Sequence, residues 1–209
     1  YWAGLNAGGE GPRSDVNAYT GEYNYPFTVD ASGPGSIRAN LQIANIDVDP
    51  GSNPGARYFV EGQYICNDDA SWGNQMNNAS WREIGFNSIS SPYGLGNDPG
   101  ETIVGEPGIL AWADADPSVQ ITEVITPNDG MVLVGVSVTN NNDGTYHYEY
   151  AIQNLNCHRS VGSVTIPSGG SATNVGFHDI NYHSGEIYDG TDWDVATTGN
   201  SVTWSTVMY

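Results

Sequence analysis

The residues able to do chemistry in this chain gather in a few polar stretches. The densest, "FHDINYHSGEIYDGTDWDV", holds His178, Asp179, His183, Glu186, Asp189, Asp192 and Asp194. Hard cations such as calcium take six to eight oxygen ligands, and the Asp-Gly-Thr-Asp-x-Asp run can supply several through Asp189, Asp192 and Asp194. Zinc is the weaker reading, because a histidine spacing of five matches neither a helical i, i+4 pair nor a same-face strand pair. A second stretch, "NIDVDPGSNPG", sets Asn45, Asp47, Asp49 and Asn53 around a Pro/Gly turn. Its glycine is misplaced for an EF-hand loop and no closing glutamate follows, so Asx side chains bonding their own backbone are expected there. A third, "NDDASWGNQMNNAS", surrounds a tryptophan with amides and carboxylates. An aromatic face that stacks on a pyranose, with amides to bond its hydroxyls, makes Trp72, Asn74 and Asn78 candidate sugar contacts. The competing reading is a long, self-bonded surface loop.

His147 and Glu149 stand two apart in "GTYHYEYAIQNLN". Residues two apart in a strand share a face, so Tyr146, Tyr148, Tyr150 and Ile152 make one aromatic-aliphatic row, and the imidazole and carboxylate lie on the other. A polar pair near solvent is expected in preference to a catalytic dyad. Glycosidase chemistry needs two carboxyls ~5–10 Å apart across a cleft. Glu61, Glu83, Glu101, Glu106, Glu123 and Glu149 are all candidates, and nothing selects a pair. No phosphate-binding loop, dinucleotide fingerprint, zinc-type Cys/His cluster or GxSxG elbow is present. The expectation is a non-enzymatic protein.

Charge narrows the partners. The 24 acidic residues face five basic ones, all arginine, for a net charge of −19. Such a surface repels phosphate backbones and anionic lipid, which argues against nucleic acid and membrane-surface partners. No apolar run approaches the ~20 residues needed to span a bilayer. The absence of lysine removes Schiff-base chemistry. Cys66 and Cys157 are either two unrelated buried thiols or one disulfide, the latter fitting an extracellular compartment. The chain opens on Tyr1 without a methionine and stops inside the strand-like "SVTWSTVMY", so it reads as a mature or trimmed piece of a longer product.

The elements that position these residues are short apolar runs separated by Asn, Asp, Gly and Ser, in a chain with 27 Gly and 11 Pro. No ten-residue run carries a helical stripe, so the fold class is all-β, an antiparallel β-sandwich of immunoglobulin-like or jelly-roll-like kind. "MVLVGVSVT" and the tyrosine strand flank "NNNDG", whose residues tolerate positive φ, and form a hairpin. Residues 1–32, rich in Gly, Asn and Pro, are expected to be an extended N-terminal arm. Residues 33–127 form a β-rich first part, with strands at "SIRANLQIANI", "RYFVEGQYI" and "SWREIGFNSI" and about three more in 98–125. Residues 128–209 form an immunoglobulin-like part, or 33–209 is one continuous sandwich. The count from Met131 onward, with "SVGSVTIP", "SATNVGFHDI", "WDVAT" and "SVTWSTV", is about six strands where such a unit has seven.

Several blocks resemble a group of secreted, uncharacterised all-β proteins of planctomycete-type bacteria. They are "ARYFVEGQYICNDDASWGNQMNNASWREI", "AWADADPSV", "YHYEYAIQNLNCHRSVGSVTIPSG" and "NVGFHDINYHSGEIYDGTDWDV", and the resemblance spans roughly residues 15 to 209. The group has no established activity, so the resemblance implies export and a β-rich body and no catalytic residue. The chain departs from the group at Cys66 and Cys157, where Thr and Ser are usual. Two departures that both introduce cysteine are most simply explained by a disulfide. The expected function is a structural subunit of an extracellular fibre, pilus-like filament or surface layer on the cell exterior. In that reading the arm, through Val16, Ala18, Tyr19, Tyr23 and Tyr25, is donated to a neighbouring copy and propagates a head-to-tail homopolymer. The alternative is a secreted adhesive module that binds carbohydrate or calcium.

Overall fold

The structure is a computed structural model and describes residues 13–24, 43–86, 100–180, 187–188 and 190–207. The fold is all-β and antiparallel, with three short α-helices among the described residues. The chain divides into two compact units. One is built from residues 17–23 and 45–158, and residues 159–207 carry the described body of the other.

The larger unit is a small sandwich of two three-stranded sheets. Tyr58–Gln63 (β3), Ala79–Ile84 (β4) and Ile103–Val104 (β5) make the first, in the order β3-β4-β5. Gln120–Thr126 (β6), Gly130–Asn140 (β7) and Tyr146–Asn154 (β8) make the second, a meander in the order β6-β7-β8. The first meander turn is Pro127-Asn128-Asp129, with Asn128 at φ 58° and the Asp129 N–H donating to Thr126 O at 3.1 Å. The second is the expected Asn-rich loop, with Asn142 at φ 62° and Gly144 at φ 91°. Asn and Gly hold these left-handed positions at little steric cost.

The sheets meet over a core of Ala79, Met131, Leu133 and Leu155, with Met76, Ile109 and Ile121 packed against it. Alternation puts Met131, Leu133 and Gly135 of β7 on this inner face. At Gly135 an added Cβ would lie 3.0 Å from both Ile121 Cδ1 and the Trp112 ring, so the glycine gives Trp112 its seat. Trp112 belongs to a helix, Leu110–Ala115 (α3), in a stretch where a strand was expected. "LAWADA" is rich in good helix formers but spans less than two turns, too short to print an amphipathic stripe.

Two further helices flank the first sheet, Asn45–Val48 (α1) and Asn67–Ser71 (α2). The α1 helix takes the end of the expected strand "SIRANLQIANI", whose remaining residues lie mostly outside the described ones. Ahead of them in the chain, Val16–Asn17 (β1) and Glu22–Tyr23 (β2) pair as a ribbon. Asn17 Oδ1 accepts from the N–H groups of Tyr19 and Thr20, both at 3.0 Å, and Gly21 N–H donates to Asn17 O at 2.8 Å. Gly21, at φ 73°, lies so close to Asn67 that a Cβ would come within 2.3 Å of its backbone nitrogen. Asn67 Nδ2 in turn donates to Thr20 O at 3.1 Å.

The smaller unit holds Ser163–Pro167 (β9), Asp194–Thr197 (β10) and Ser201–Ser205 (β11), in the order β10-β11-β9. Val202 is its buried strand residue. Phe177 stacks on Trp193 with centroids 4.9 Å apart, and Trp204 Nε1 donates to Gly176 O at 2.9 Å. The "SATNVGFHDI" stretch is therefore held by its aromatics without forming a strand. The strands expected to share one unit after Met131 are divided: β7 and β8 join β6, and the units part after His158.

Candidate functional site

The most distinctive surface lies on the outer face of the β6-β7-β8 meander. The register sets Val138 opposite Tyr148, Val136 opposite Tyr150, Val134 opposite Ile152 and Val124 opposite Val132. The valines of β7 and the tyrosines and Ile152 of β8 therefore share one face, as the alternation predicts, and β6 adds Gln120, Thr122 and Val124 beside them. Val132 is buried, Val134, Val136, Tyr150 and Ile152 are half-buried, and the ends are open. Val124 is 47% exposed, Val138 46%, Tyr146 55% and Tyr148 52%. Val138, Tyr146 and Tyr148 are neighbours at the hairpin tip, and open apolar groups grouped in this way mark interaction surfaces. Tyr148 and Tyr150 stack nearly parallel, with centroids 6.3 Å apart and planes at 6°. Burial pushes the Tyr150 phenol above its ordinary value, and Tyr148 beside it adds to the shift.

On the opposite face near the hairpin tip, His147 Nε2 lies 2.6 Å from Glu149 Oε1, with both side chains more than half exposed. The pair is a solvent-facing ornament of an edge strand. Among the described residues no strand pairs with the outer side of β8.

The tryptophan loop is self-bonded, and it presents its ring outward. Trp72 caps α2, its N–H donating to Asp69 O at 3.1 Å, and Asn74 N–H reaches the same carbonyl at 3.2 Å. Asn77 N–H donates to Asn74 O, and Asn78 O accepts from Tyr64 N–H at 3.2 Å. Trp72 is 83% exposed, and Asn74 is exposed and Asn78 half-buried around it.

The acidic turns bond themselves. Asp49 accepts from Ser52 N–H and Oγ, which holds its carboxyl below the usual range, the hydroxyl bond contributing most. Asn53 Nδ2 donates to Ile46 O and Asp49 O. Asp192 Oδ1 accepts from Asp179 N–H at 3.0 Å, Asp194 is an exposed residue of β10 opposite Ser205, and Asp189 lies outside the described residues. Among the described residues no three His, Cys, Asp or Glu side chains converge on a metal-sized site.

The expected disulfide is not formed. Cys66 is an exposed free thiol at the N-terminal boundary of α2. Cys157 is buried, with Sγ on Thr126 Oγ1 at 3.4 Å under the β6–β7 turn. Each thiol is thus placed by its own neighbourhood, one on the surface and one in the interior. Of the arm residues, Val16, Ala18 and Tyr19 are half-buried in the ribbon and its turn, Tyr23 is exposed at the ribbon's end, and Tyr25 lies outside the described residues. The described part of the arm is therefore a closed turn, where an extended strand was expected.

Two of the candidate glutamates are committed to structure. Glu61 Oε2 accepts from Gly108 N–H and from Gln153 Nε2, the latter at 2.5 Å, while Gln153 Oε1 accepts from Ile109 N–H at 2.8 Å. Glu61 thereby ties β3 to β8 and to the turn before α3. Glu83 is held bidentately by Arg57, at 2.9 and 2.7 Å, on the rim of an open groove of about 520 Å³ lined also by Asn53, Tyr58 and Phe86. Among the described residues Glu83 is the one carboxylate that lines the groove.

Sequence reading passed over Asn156, which is 1% exposed. Its Oδ1 accepts from Met131 N–H at 2.8 Å, and its Nδ2 donates to Gln75 O at 2.9 Å. No local pattern marks it, since its partners are distant in the chain. Compared with protein-family models, curated proteins and solved structures, the chain matches none.

Proposed function

We propose that the protein is a non-enzymatic structural subunit of an extracellular bacterial fibre or surface layer, associating with copies of itself through its β-sheets. The observation that carries this reading is the open valine–tyrosine group at the hairpin end of the β6-β7-β8 meander, where Val138, Tyr146 and Tyr148 are each about half exposed. A sheet face of this composition is costly to leave in water and gains when a second surface covers it. The net charge of −19 opposes indiscriminate association of copies and restricts it to complementary patches. Export is in keeping with the resemblance to secreted β-rich proteins, and no described helix is long and apolar enough to cross a membrane. Val16, Ala18 and Tyr19 are half-buried in the ribbon and its turn, which favours assembly through the meander over assembly by a donated arm. Negative-stain electron microscopy over a concentration series tests this. Ordered oligomers or fibres are expected as concentration rises, and isolated particles at every concentration would overturn it.

A second reading, a glycan-binding adhesive module, is favoured by one feature. Trp72 is 83% exposed on a loop whose backbone bonds are internally satisfied. A rigid loop that holds an aromatic face to solvent is preorganised for stacking on a sugar ring. A glycan array with the native chain and Trp72→Ala decides it: binding lost in the variant supports the reading, and no binding by the native chain refutes it.

A further inference from the structure

We infer that the outer edge of β8 pairs antiparallel with the same edge of a second copy, about a twofold axis through Tyr148. The inference rests on the self-association proposed above and names one contact within it, a closed twofold; growth beyond a dimer needs a second surface. Three observations lead to it.

The first is which backbone groups point outward. Asn141 N–H donates to Thr145 O and Leu155 N–H to Met131 O, both at 3.1 Å, and one unbroken register joins these two points. In an antiparallel pair the residues that exchange hydrogen bonds alternate with those that do not. The odd-numbered residues of β8 therefore bond to β7, and the N–H and C=O groups of Tyr146 and Tyr148 point away from the sheet. The second is the character of the edge. β8 runs nine residues, "YHYEYAIQN", without a bulge, proline or lysine, the usual protections of an exposed edge. Tyr146, His147, Tyr148 and Glu149 are all exposed.

The third is self-complementarity. A twofold axis at Tyr148 sets His147 of each copy directly opposite Glu149 of the other, so an imidazole N–H meets a carboxylate twice. On the other face it sets Tyr148 against Tyr148 and Tyr146 against Tyr150, continuing the aromatic row across the junction. Neighbouring registers lose this match: a centre at Glu149 opposes two carboxylates, a centre at His147 opposes two imidazoles, and a centre at Tyr150 sets Glu149 against Ala151. Opposite charges and aromatic pairs directly across strands are favourable, and like charges are not. The contact is isologous, each copy using the same patch. It joins the two meanders into one six-stranded sheet with β8 at its centre, and main-chain bonds supply the affinity.

A register-specific cross-link tests this in the full chain carrying Cys66→Ser. Directly opposed, hydrogen-bonded residues have Cα atoms about 5.5 Å apart, within the usual range for a disulfide. Tyr148→Cys should therefore give a covalent dimer under mild oxidation. Tyr146→Cys should give none, because its copies are four residues out of register, about 13 Å apart. In parallel, His147→Glu or Glu149→His should weaken dimerisation on the order of tenfold, and the swapped double variant should restore it. Unchanged far-ultraviolet circular dichroism guards against misfolding. If the native chain associates but Tyr148→Cys does not cross-link, or Tyr146→Cys cross-links equally well, the inference falls and self-association stands. If the native chain does not associate at all, both fall.

Discussion

Replacing Asn156 by alanine tests how the larger unit is held together. The amide is buried and bonds at both ends, to the Met131 N–H where β7 begins and to the Gln75 carbonyl in the tryptophan loop. Alanine leaves the buried Met131 donor and the part-buried Gln75 acceptor unpaired, each costing up to about 1–3 kcal/mol. Backbone relaxation recovers part of this, leaving a loss of ~3 kcal/mol. For a chain of this size each kcal/mol lowers Tm by roughly 2–4 °C, so the melt should fall by about 6–12 °C. Thermal unfolding followed by circular dichroism reads it directly. Asn156→Asp sharpens the assay by keeping the shape and the acceptor for Met131 while turning the donor towards Gln75 into an acceptor. Burial and the facing carbonyl raise that carboxyl's folded pKa above its unfolded value. Its penalty is then full at neutral pH and relieved as pH falls through the raised folded pKa, where the protonated acid can donate to Gln75. An alanine variant melting within about 2 °C of the native protein would refute the reasoning, since it would mean that the two orphaned groups cost nothing.

Other expectations are equally concrete. Thiol labelling without reductant should find two reactive groups per denatured chain and one, Cys66, in the folded protein; a chain with none would restore the disulfide. Arg57→Ala should lower stability slightly at neutral pH and by less in strong acid, where its stacking on Phe59 remains but its pairing with Glu83 is lost. The Arg57 guanidinium bonds Glu83 and holds its carboxyl below the usual range, so the stability it lends is present above the unfolded carboxylate pKa and lost as pH falls through the folded one. An effect unchanged between neutral and acid pH would contradict this. Trp72→Ala should leave the melt unchanged within error, because surface substitutions usually stay within about 0.5 kcal/mol, and a clear drop would mean that the ring packs on something.

The hairpin was readable because its signals were local. The alternation of Tyr146–Ile152 against Val132–Val138 and the Asn/Gly loop between them fix both faces and register. The acidic turn at Asp49 was readable for the same reason, its partners lying within a few residues. Other features depend on distant partners. Asn156 and Cys157 anchor the chain as it leaves β8 to Met131, Gln75 and Thr126. Nothing in "NLNCHRS" announces those contacts. The ribbon at Val16–Tyr23 depends on a close approach to Asn67 that only the folded chain supplies. The candidate interface lies between these cases. Its tyrosine row is plain in the sequence, but the outward direction of the Tyr148 backbone follows from hydrogen bonds at both ends of the strand.

Sedimentation velocity of the native chain, from dilute to concentrated solution at moderate salt, tests the central claim most directly. The account predicts a monomer that converts with concentration into a dimer and larger species, and a His147→Glu variant whose conversion is shifted to higher concentration. A single monomeric boundary at every concentration would contradict it.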